Sequence, residues 1–207
     1  MSGKKRVAVL ISGRGSNMTA LIEAAKARDY PCEIALVLSN RPDARGLGTA
    51  KAEGIEAVAL DHKQFSGREC FERAMQATLV AHGIELVALA GFMRLLTPWF
   101  VGQWDGRMIN IHPALLPSFK GLHTHERAME AGCKIHGCTV HWVTPGMDEG
   151  PIIAQAALAV RGDDTPDSLA ARVLGLEHKL YPAALAHVAT NGYAEATLPA
   201  GEALFGI

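Results

Sequence analysis

Residues 7–17 read Val-Ala-Val-Leu-Ile-Ser-Gly-Arg-Gly-Ser-Asn, which is an apolar run, a glycine-rich turn and the start of an alanine-rich segment. The apolar run predicts a buried strand at residues 7–11, and the alanine-rich residues 17–28 predict a helix. The same alternation predicts further strands at residues 34–38, 56–60, 86–90 and 108–112, and further helices at residues 43–53 and 68–81. Short apolar runs separated by helices indicate a parallel sheet with both faces covered.

The second half of the chain has a different pattern. Pro113, Pro117 and Gly121 indicate a loop after the strand that ends at residue 112. The remaining predicted elements are a short helix at residues 126–131, strands at residues 138–143 and 152–160, and a long helix at residues 168–190. Pro182 lies within that last helix and is expected to disturb it. The predicted class is therefore α/β.

Composition sets the size and the broad class of the protein. With 207 residues, 49% of them hydrophobic, the chain suffices for one α/β domain and is too short for two ordinary ones. A net charge of −1 gives no electrostatic footprint for nucleic acid or for an anionic membrane. The apolar run at residues 7–11 is too short for a signal peptide or a membrane span. The four cysteines form no C-x-x-C pair, so we expect reduced thiols in a cytoplasmic protein.

Asn110, His112 and Asp148 are the candidate catalytic residues. Side chains two positions apart on a strand point to the same face, so Asn110 and His112 can reach one bound atom. Asp148 follows in a turn-rich segment, and a carboxylate near an imidazole favours the protonated ring and fixes its orientation. The three groups can together perform acid–base catalysis and hold an oxyanion. No serine or cysteine nucleophile is built into the arrangement, which suits direct transfer of a group between two bound substrates.

The turn at residues 12–18 is a candidate phosphate site. Gly13 and Gly15 let the backbone approach an anion at the positive end of the following helix. It is a poor dinucleotide site, because Met18 replaces the third glycine and no acidic residue ends the second strand. The alternative is a tight turn in which Asn17 caps the helix. The expected position at the carboxyl edge of the sheet favours the phosphate site.

The nine histidines raise the question of a metal site. The most closely spaced of them are His123, His125, His136 and His141. None of the usual zinc-ligand spacings is present, so no metal is predicted. His141 alternates with apolar residues on a predicted strand, which is typical of a hydrogen-bonded sheet residue. Two interpretations of residues 93–96 remain open: ordinary packing, or an apolar wall for a flat heterocycle. Glu177 lies in a predicted helix, and by default we expect it on a solvated face of that helix.

Six collinear segments resemble the folate-dependent phosphoribosylglycinamide formyltransferase family over nearly the full chain. They are VLISGRGSN at 9–17, LAGFMRLL at 89–96, NIHPALLPSFKG at 110–121, GLHTH at 121–125, HGCTVH at 136–141 and DEGP at 148–151. The resemblance implies one Rossmann-like domain over residues 1–207 with a mostly parallel central sheet flanked by helices. Residues 1–100 would form its phosphate-binding half, and residues 101–207 its catalytic and folate-binding half.

The resemblance also implies roles for individual residues. The catalytic positions are Asn110, His112 and Asp148. The positions that hold the phosphorylated substrate are Gly15, Ser16, Asn17 and Glu177. The positions that hold the folate are Arg68, Met93, Arg94, Leu95, Leu96, Asn110, Thr144, Pro145, Gly146, Met147 and Asp148.

The reaction that the resemblance implies is transfer of the formyl group of 10-formyltetrahydrofolate, a co-substrate, to the amine of 5-phosphoribosylglycinamide in purine synthesis. We expect these small molecules as ligands, no metal, no nucleic acid or membrane partner, and a monomer or a homodimer. A methionyl-tRNA formyltransferase would carry an extra C-terminal domain and a basic surface. A formyltetrahydrofolate deformylase would carry a regulatory domain before the first strand. A nucleotide-binding module without catalysis would leave Asn110, His112 and Asp148 unexplained.

Overall fold

An eight-stranded sheet organises the part of the chain that the computed structural model describes, residues 3–193 and 205–206. The strands are β1 Lys5–Ile11, β2 Cys32–Ser39, β3 Glu56–Ala59, β4 Leu86–Leu89, β5 Met108–His112, β6 Ile135–Trp142, β7 Ile152–Ala159 and β8 Phe205–Gly206. Their order is β3-β2-β1-β4-β5-β6-β7-β8. Strands β1 to β5 pair in parallel, β6 is antiparallel to both of its neighbours, and β8 is parallel to β7. The prediction of a mostly parallel sheet is confirmed. The single-domain prediction over residues 1–207 includes residues 1–2, 194–204 and 207, which lie outside the described residues.

Six helices flank the sheet in the described part of the chain. They are α1 Ser16–Ala25, α2 Arg45–Ala52, α3 Arg68–Ala81, α4 Pro98–Gln103, α5 Thr124–Glu130 and α6 Pro166–Asn191. Apolar residues of α1, α2 and α6 form one core with one face of the sheet, and those of α3 and α4 form a second core on the opposite face. None of these helices combines the length and the apolar character that a membrane crossing requires.

Most helix boundaries differ from the predicted ones by one or two residues, and three differences are larger or of another kind. Helix α1 ends at Ala25, three residues before the predicted end. Helix α4 was not predicted; it begins at Pro98, and the Thr97 side chain caps it by accepting a hydrogen bond from Phe100 N. Helix α6 continues through Pro182. Burial of its apolar face on both sides of Pro182 outweighs the ~3 kcal/mol that a proline costs inside a helix.

The strand order places a ligand crevice between β1 and β4. The chain builds outward from β1 to β3 and then returns to β4 and β5 on the other side of β1. In open α/β sheets the crevice outside such a reversal, at the carboxyl ends of the strands, is where ligands bind. Leu10 pairs with Leu89, and Leu89 pairs with Asn110. The segments that follow β1 and β4 therefore lie at the same edge as the end of β5.

The side chains of Asn110 and His112 point away from α6. Their neighbours Ile109 and Ile111 belong to the core that α6 covers, and alternation along a strand puts Asn110 and His112 on the opposite face. In the antiparallel β5–β6 pair, Asn110 lies opposite His141 and His112 lies opposite Thr139. Four polar side chains thus share one face of two adjacent strands.

Tyr181 connects α6 to the strands that carry the candidate site. Its ring is fully buried, and its hydroxyl lies 2.9 Å from the carbonyl oxygen of Leu89 and 3.3 Å from that of Ile109. These carbonyls belong to the end of β4 and to the residue before Asn110. The hydroxyl therefore holds two neighbouring strands at the edge where the crevice opens.

The variant Tyr181→Phe is expected to lower the free energy of unfolding by about 1–3 kcal/mol, because a buried hydrogen bond is lost without a change of shape. Urea unfolding monitored by circular dichroism measures this. Tyr30→Phe is the matched control, since the Tyr30 hydroxyl donates to the Pro182 carbonyl at a half-buried site. We expect a smaller loss for the control, and equal losses would contradict a special role for Tyr181.

Candidate active site

The Asn110 side chain is oriented by His141. Asn110 Nδ2 lies 3.1 Å from His141 Nε2, while His141 Nδ1 lies 2.9 Å from the Trp142 carbonyl oxygen. A carbonyl only accepts, so His141 Nδ1 carries the proton and Nε2 accepts from the Asn110 amide. Burial lowers the pKa of His141, which keeps the ring neutral in this role. The second amide hydrogen of Asn110 remains available to a ligand.

His112 lies between two hydrogen-bond acceptors. The side chain is 5% exposed, and its Nε2 lies 2.9 Å from the Phe119 carbonyl oxygen, to which it must donate. Its Nδ1 lies 3.5 Å from Asp148 Oδ2. This distance is longer than an N–H···O hydrogen bond, so a proton on Nδ1 can be donated to a bound oxygen while the Asp148 carboxylate supplies the opposite charge beside it. Nδ1 is the nitrogen that can donate to a substrate, because Nε2 is already bonded to the Phe119 carbonyl.

Asp148 reaches His112 because the loop of residues 143–151 is held by several contacts. Asp148 Oδ2 accepts a hydrogen bond from Gly121 N at 2.9 Å, and Oδ1 lies 3.7 Å from His141 Nε2. Lys120 and Glu149 form an ion pair of 2.9 Å between the same two loops. Gly150 is required at its position, since a Cβ there would lie 1.7 Å from the Trp142 carbonyl oxygen. The structure therefore brings the three predicted catalytic residues together.

The turn before α1 brings the predicted phosphate-binding residues together with Glu177. Gly15 precedes the helix with a φ of +74°, a conformation that favours glycine. Asn17 lies inside α1, so the alternative reading of Asn17 as a helix cap is wrong. Its Nδ2 instead lies 2.6 Å from Glu177 Oε2, across a separation of 160 residues.

Glu177 and Asn17 form a polar site in which Glu177 is buried and Asn17 half-buried. Glu177 is 6% exposed, so the default expectation of a solvated helix face is wrong. Burial raises the pKa of Glu177, and the hydrogen bond from Asn17 opposes that shift. Asn17 Oδ1 is buried without a hydrogen-bond partner. A ligand with hydroxyl groups could supply the missing donor.

The segment of residues 93–97 follows β4 at the same edge. Met93 N donates to Ser12 Oγ at 2.8 Å, which joins the segment to the end of β1. Met93 and Leu95 are 68% and 60% exposed and form an apolar surface. The Arg94 guanidinium lies 5.4 Å from the Phe71 ring centroid, and its Nε is buried without a partner.

Arg68 lies apart from the catalytic trio. It is the first residue of α3 and is exposed. Together with Thr97 it lines an open cleft of about 530 Å³. Of the predicted folate-binding residues, Arg68 is therefore close to the end of the 93–97 segment, whereas Asp148 is close to His112.

Comparison with known proteins identifies the family of the chain. Residues 5–185 match the formyl transferase family. The chain belongs to the formyl transferase family. The resemblance noted from the sequence is confirmed, and the fold is shared with solved members of the family.

Three relatives illustrate the likeness. The phosphoribosylglycinamide formyltransferase of Escherichia coli (strain K12) is 44% identical over 176 residues, which are 85% of this chain and 83% of that protein. The solved structure of the phosphoribosylglycinamide formyltransferase from Brucella melitensis is 50% identical, with a TM-score of 0.87, and the match covers 95% of this chain and 100% of that one. The trifunctional purine biosynthetic protein adenosine-3 of Drosophila melanogaster is 47% identical over 193 residues, 92% of this chain. The chain spans 14–19% of the length of the trifunctional relatives.

Sequence reasoning missed several groups of the candidate site. His141 orients Asn110, the Phe119 carbonyl accepts from His112, Gly121 N donates to Asp148, and Ser12 joins β1 to Met93. Only His141 had a usable sequence signal, because Thr139 and His141 show the same spacing as Asn110 and His112. Backbone donors and acceptors carry no signal in the sequence.

Two further histidines, His125 and His136, form a pair beside the loop that follows His112. His125 Nδ1 lies 3.1 Å from His136 Nε2, and the His136 ring packs edge-on against Phe119 with centroids 6.2 Å apart. Burial and the neighbouring His125 lower the pKa of His136 to about 4. In the described residues no group of three or more His, Cys, Asp or Glu side chains is placed to hold a metal ion.

The buried His136 is expected to make stability depend on pH. Its pKa of about 4 in the folded state lies below the unfolded value near 6.5, so the unfolded chain binds more protons between these values and stability falls as pH falls. Between pH 7.5 and pH 5 this accounts for about 2 kcal/mol. His136→Gln should reduce the measured difference in unfolding free energy by about that amount, whereas His123→Gln, an exposed control, should not. An unchanged pH dependence in His136→Gln would contradict the assignment.

Proposed function

We propose that the chain is a phosphoribosylglycinamide formyltransferase, which transfers the formyl group of 10-formyltetrahydrofolate to the amine of 5-phosphoribosylglycinamide in purine biosynthesis. The observation that carries the proposal is the convergence of Asn110, His112 and Asp148 beside a phosphate-type turn at one sheet edge. Relatives of similar length carry this name. The proposal covers formyl transfer alone and none of the other activities of the trifunctional relatives.

The two substrates would enter the crevice from its two sides. Gly15, Ser16 and Asn17 would hold the phosphate, and Glu177 with Asn17 Oδ1 would bind the ribose hydroxyls. Strands β1 and β5 are separated only by β4, so the turn and the catalytic strand are about 10 Å apart at ~4.8 Å per strand. That separation suits a molecule with a phosphate at one end and an amine at the other.

The folate would lie on the other side of the catalytic strand. The Met93 and Leu95 side chains, with the backbone of Arg94 and Leu96, would contact the flat ring system, and Arg68 would pair with a carboxylate of the folate. Thr144, Pro145, Gly146 and Met147 belong to the loop that also carries Asp148, and they would close over the ring. Asn110 would contact both the folate and the formyl group.

The transfer follows from the hydrogen-bond geometry. The amine of the substrate attacks the formyl carbon, and the carbonyl oxygen becomes an oxyanion in a tetrahedral intermediate. The free Asn110 amide hydrogen and the Nδ1 proton of His112 donate to that oxygen, and Asp148 stabilises the imidazolium. Collapse of the intermediate breaks the bond to the folate nitrogen. That nitrogen gains the proton which the attacking amine loses, relayed through water or His112.

Further features belong to the proposal. The oxyanion already has two hydrogen-bond donors, so no metal is invoked. Residues 1–100 would supply the phosphate-binding half, and residues 101–207 the catalytic and folate-binding half. The four cysteines are free thiols, which agrees with a cytoplasmic protein. The enzyme would act as a monomer or a homodimer on small molecules, without nucleic acid or membrane.

Activity is expected to depend strictly on the phosphorylated amine. Removal of the phosphate loses charge-assisted hydrogen bonds worth about 1.5–3 kcal/mol each, so kcat/KM should fall at least ~10-fold per bond. An assay with 10-formyltetrahydrofolate and either 5-phosphoribosylglycinamide or its dephosphorylated analogue measures this. Without any amine, no formate should be released; rapid release would instead indicate a deformylase. Equal rates with both amines would refute the phosphate site.

Asp148→Asn is expected to lower kcat by roughly 10²–10⁴, the usual range for a lost acid–base group, with folate affinity changed much less. Asparagine keeps an acceptor for Gly121 N and tolerates the φ of +53° at this position, so the loop is retained. Glu149→Gln is the matched control, because it removes a neighbouring carboxylate that pairs with Lys120 at the surface. Steady-state kinetics and folate titration provide the comparison. Near-normal turnover in Asp148→Asn would show that His112 works without this carboxylate.

A further inference from the structure

The segment of residues 93–97 is fixed at both ends by buried side chains. It has no regular secondary structure, and it exposes Met93 and Leu95. At its start, Met93 N donates to Ser12 Oγ, and Ser12 is 6% exposed. At its end, Thr97 bonds to Glu72 of helix α3. These two hydrogen-bonded anchors hold the ends of the segment, while Leu96 packs against the second core between them.

Glu72 is a buried carboxylate whose two oxygens serve a single residue. It is 1% exposed, and its Oε1 accepts from Thr97 N at 2.8 Å while its Oε2 accepts from the Thr97 hydroxyl. No Lys, Arg or His within the described ranges forms an ion pair with it. Burying a carboxylate is costly unless hydrogen bonds compensate, and here the compensation comes from the end of the 93–97 segment.

Thr97 connects Glu72 of α3 both to the 93–97 segment and to helix α4. Its hydroxyl donates to Glu72 and also accepts from Phe100 N in the first turn of helix α4. Glu72 lies four residues after Arg68 on α3, so the two side chains share a helix face. Arg68 and Thr97 line the same open cleft. The Glu72–Thr97 contact therefore sets the spacing between Arg68 and the apolar surface of Met93 and Leu95.

We propose that Glu72 is a positioning residue for the folate co-substrate, acting through Thr97 on the wall formed by residues 93–97. This inference rests on the proposed function, in which Arg68 and that wall contact the folate. In that function the phosphorylated substrate contacts Asn17 and Glu177, which bond to each other, whereas Glu72 bonds to Thr97. Loss of the contact should consequently weaken folate binding and leave the affinity for the phosphorylated amine unchanged.

The variants Glu72→Gln and Thr97→Val test the proposal. The glutamine amide nitrogen cannot accept the hydrogen of the Thr97 hydroxyl, so the charge-assisted bond is replaced at best by a neutral bond from the amide to the hydroxyl oxygen. Valine removes the hydroxyl and keeps the shape. Both variants should raise the KM and the Kd for the folate by on the order of tenfold, the factor expected for a hydrogen bond to a charged group. The KM for 5-phosphoribosylglycinamide should stay at the wild-type value. Thr97→Ser keeps the hydroxyl and should restore folate binding.

Gln76→Met is the matched control. Gln76 lies one turn further along α3, and its Oε1 accepts from Trp104 Nε1 at 2.7 Å, so the variant removes a similar bond between α3 and the end of α4. It should lower stability and leave both KM values unchanged. A folate Kd unchanged in Glu72→Gln and Thr97→Val, or an equal rise of both KM values, would overturn the positioning role.

Calorimetric titration with tetrahydrofolate separates this inference from the proposed function. Wild-type protein that binds tetrahydrofolate without transferring a formyl group would refute the function, and the variant Kd values would still decide the role of Glu72. Wild-type protein that binds no folate would overturn both.

Discussion

The antiparallel pairing of β5 with β6 is the constraint on which the site depends. A parallel partner beside β5 would have required a crossover and a helix over this face. The antiparallel partner instead sets His141 directly opposite Asn110 and Thr139 opposite His112. Cross-strand neighbours of this kind lie within reach of each other, so the amide of Asn110 is oriented by a side chain of the next strand.

The same pairing leaves a polar face that loops can cover. Thr139 donates to the Ala114 carbonyl and accepts from Leu116 N, while Gln155 of β7 donates to the Leu116 carbonyl. The chain that follows His112 is thereby fastened to the sheet, and Phe119 arrives where its carbonyl meets His112. Loops normally carry higher mobility than the elements they connect. Here the hydrogen bonds from Thr139 of β6 and Gln155 of β7 limit the mobility of the loop after His112. The loop groups that face His112 are therefore held in place by the sheet.

Local patterns predicted most of the fold, because strands buried on both faces and helices with regularly spaced apolar residues leave clear signals. Residues 7–11 and Arg68–Ala81 are examples. The failures concern features that tertiary contacts decide. Helix α4 spans only six residues and depends on Thr97 for its cap. The strand direction of β6 depends on connections that periodicity does not describe.

The candidate site likewise contains residues that local patterns predicted and residues that only tertiary contacts bring into place. Asn110 and His112 were recognisable from their spacing on a strand, and Asp148 from its turn. Glu177 is different, because its burial results from the docking of α6 against α1, far away in sequence. Only the resemblance to a family indicated it. Ser12 and Glu72 act on backbone groups of the 93–97 segment, and no pattern in the sequence reports such partners.

The bond between Asn17 and Glu177 has a consequence for how the protein matures. It joins the first helix of the chain to the last long one, across 160 residues. A ribosome-bound chain that has not yet exposed α6 lacks half of this polar site, whatever the state of its first strands. Any ligand held there bridges α1 and α6, and its binding energy stabilises only a chain in which both helices are in place. A chain in which α6 has not yet docked gains no such stabilisation.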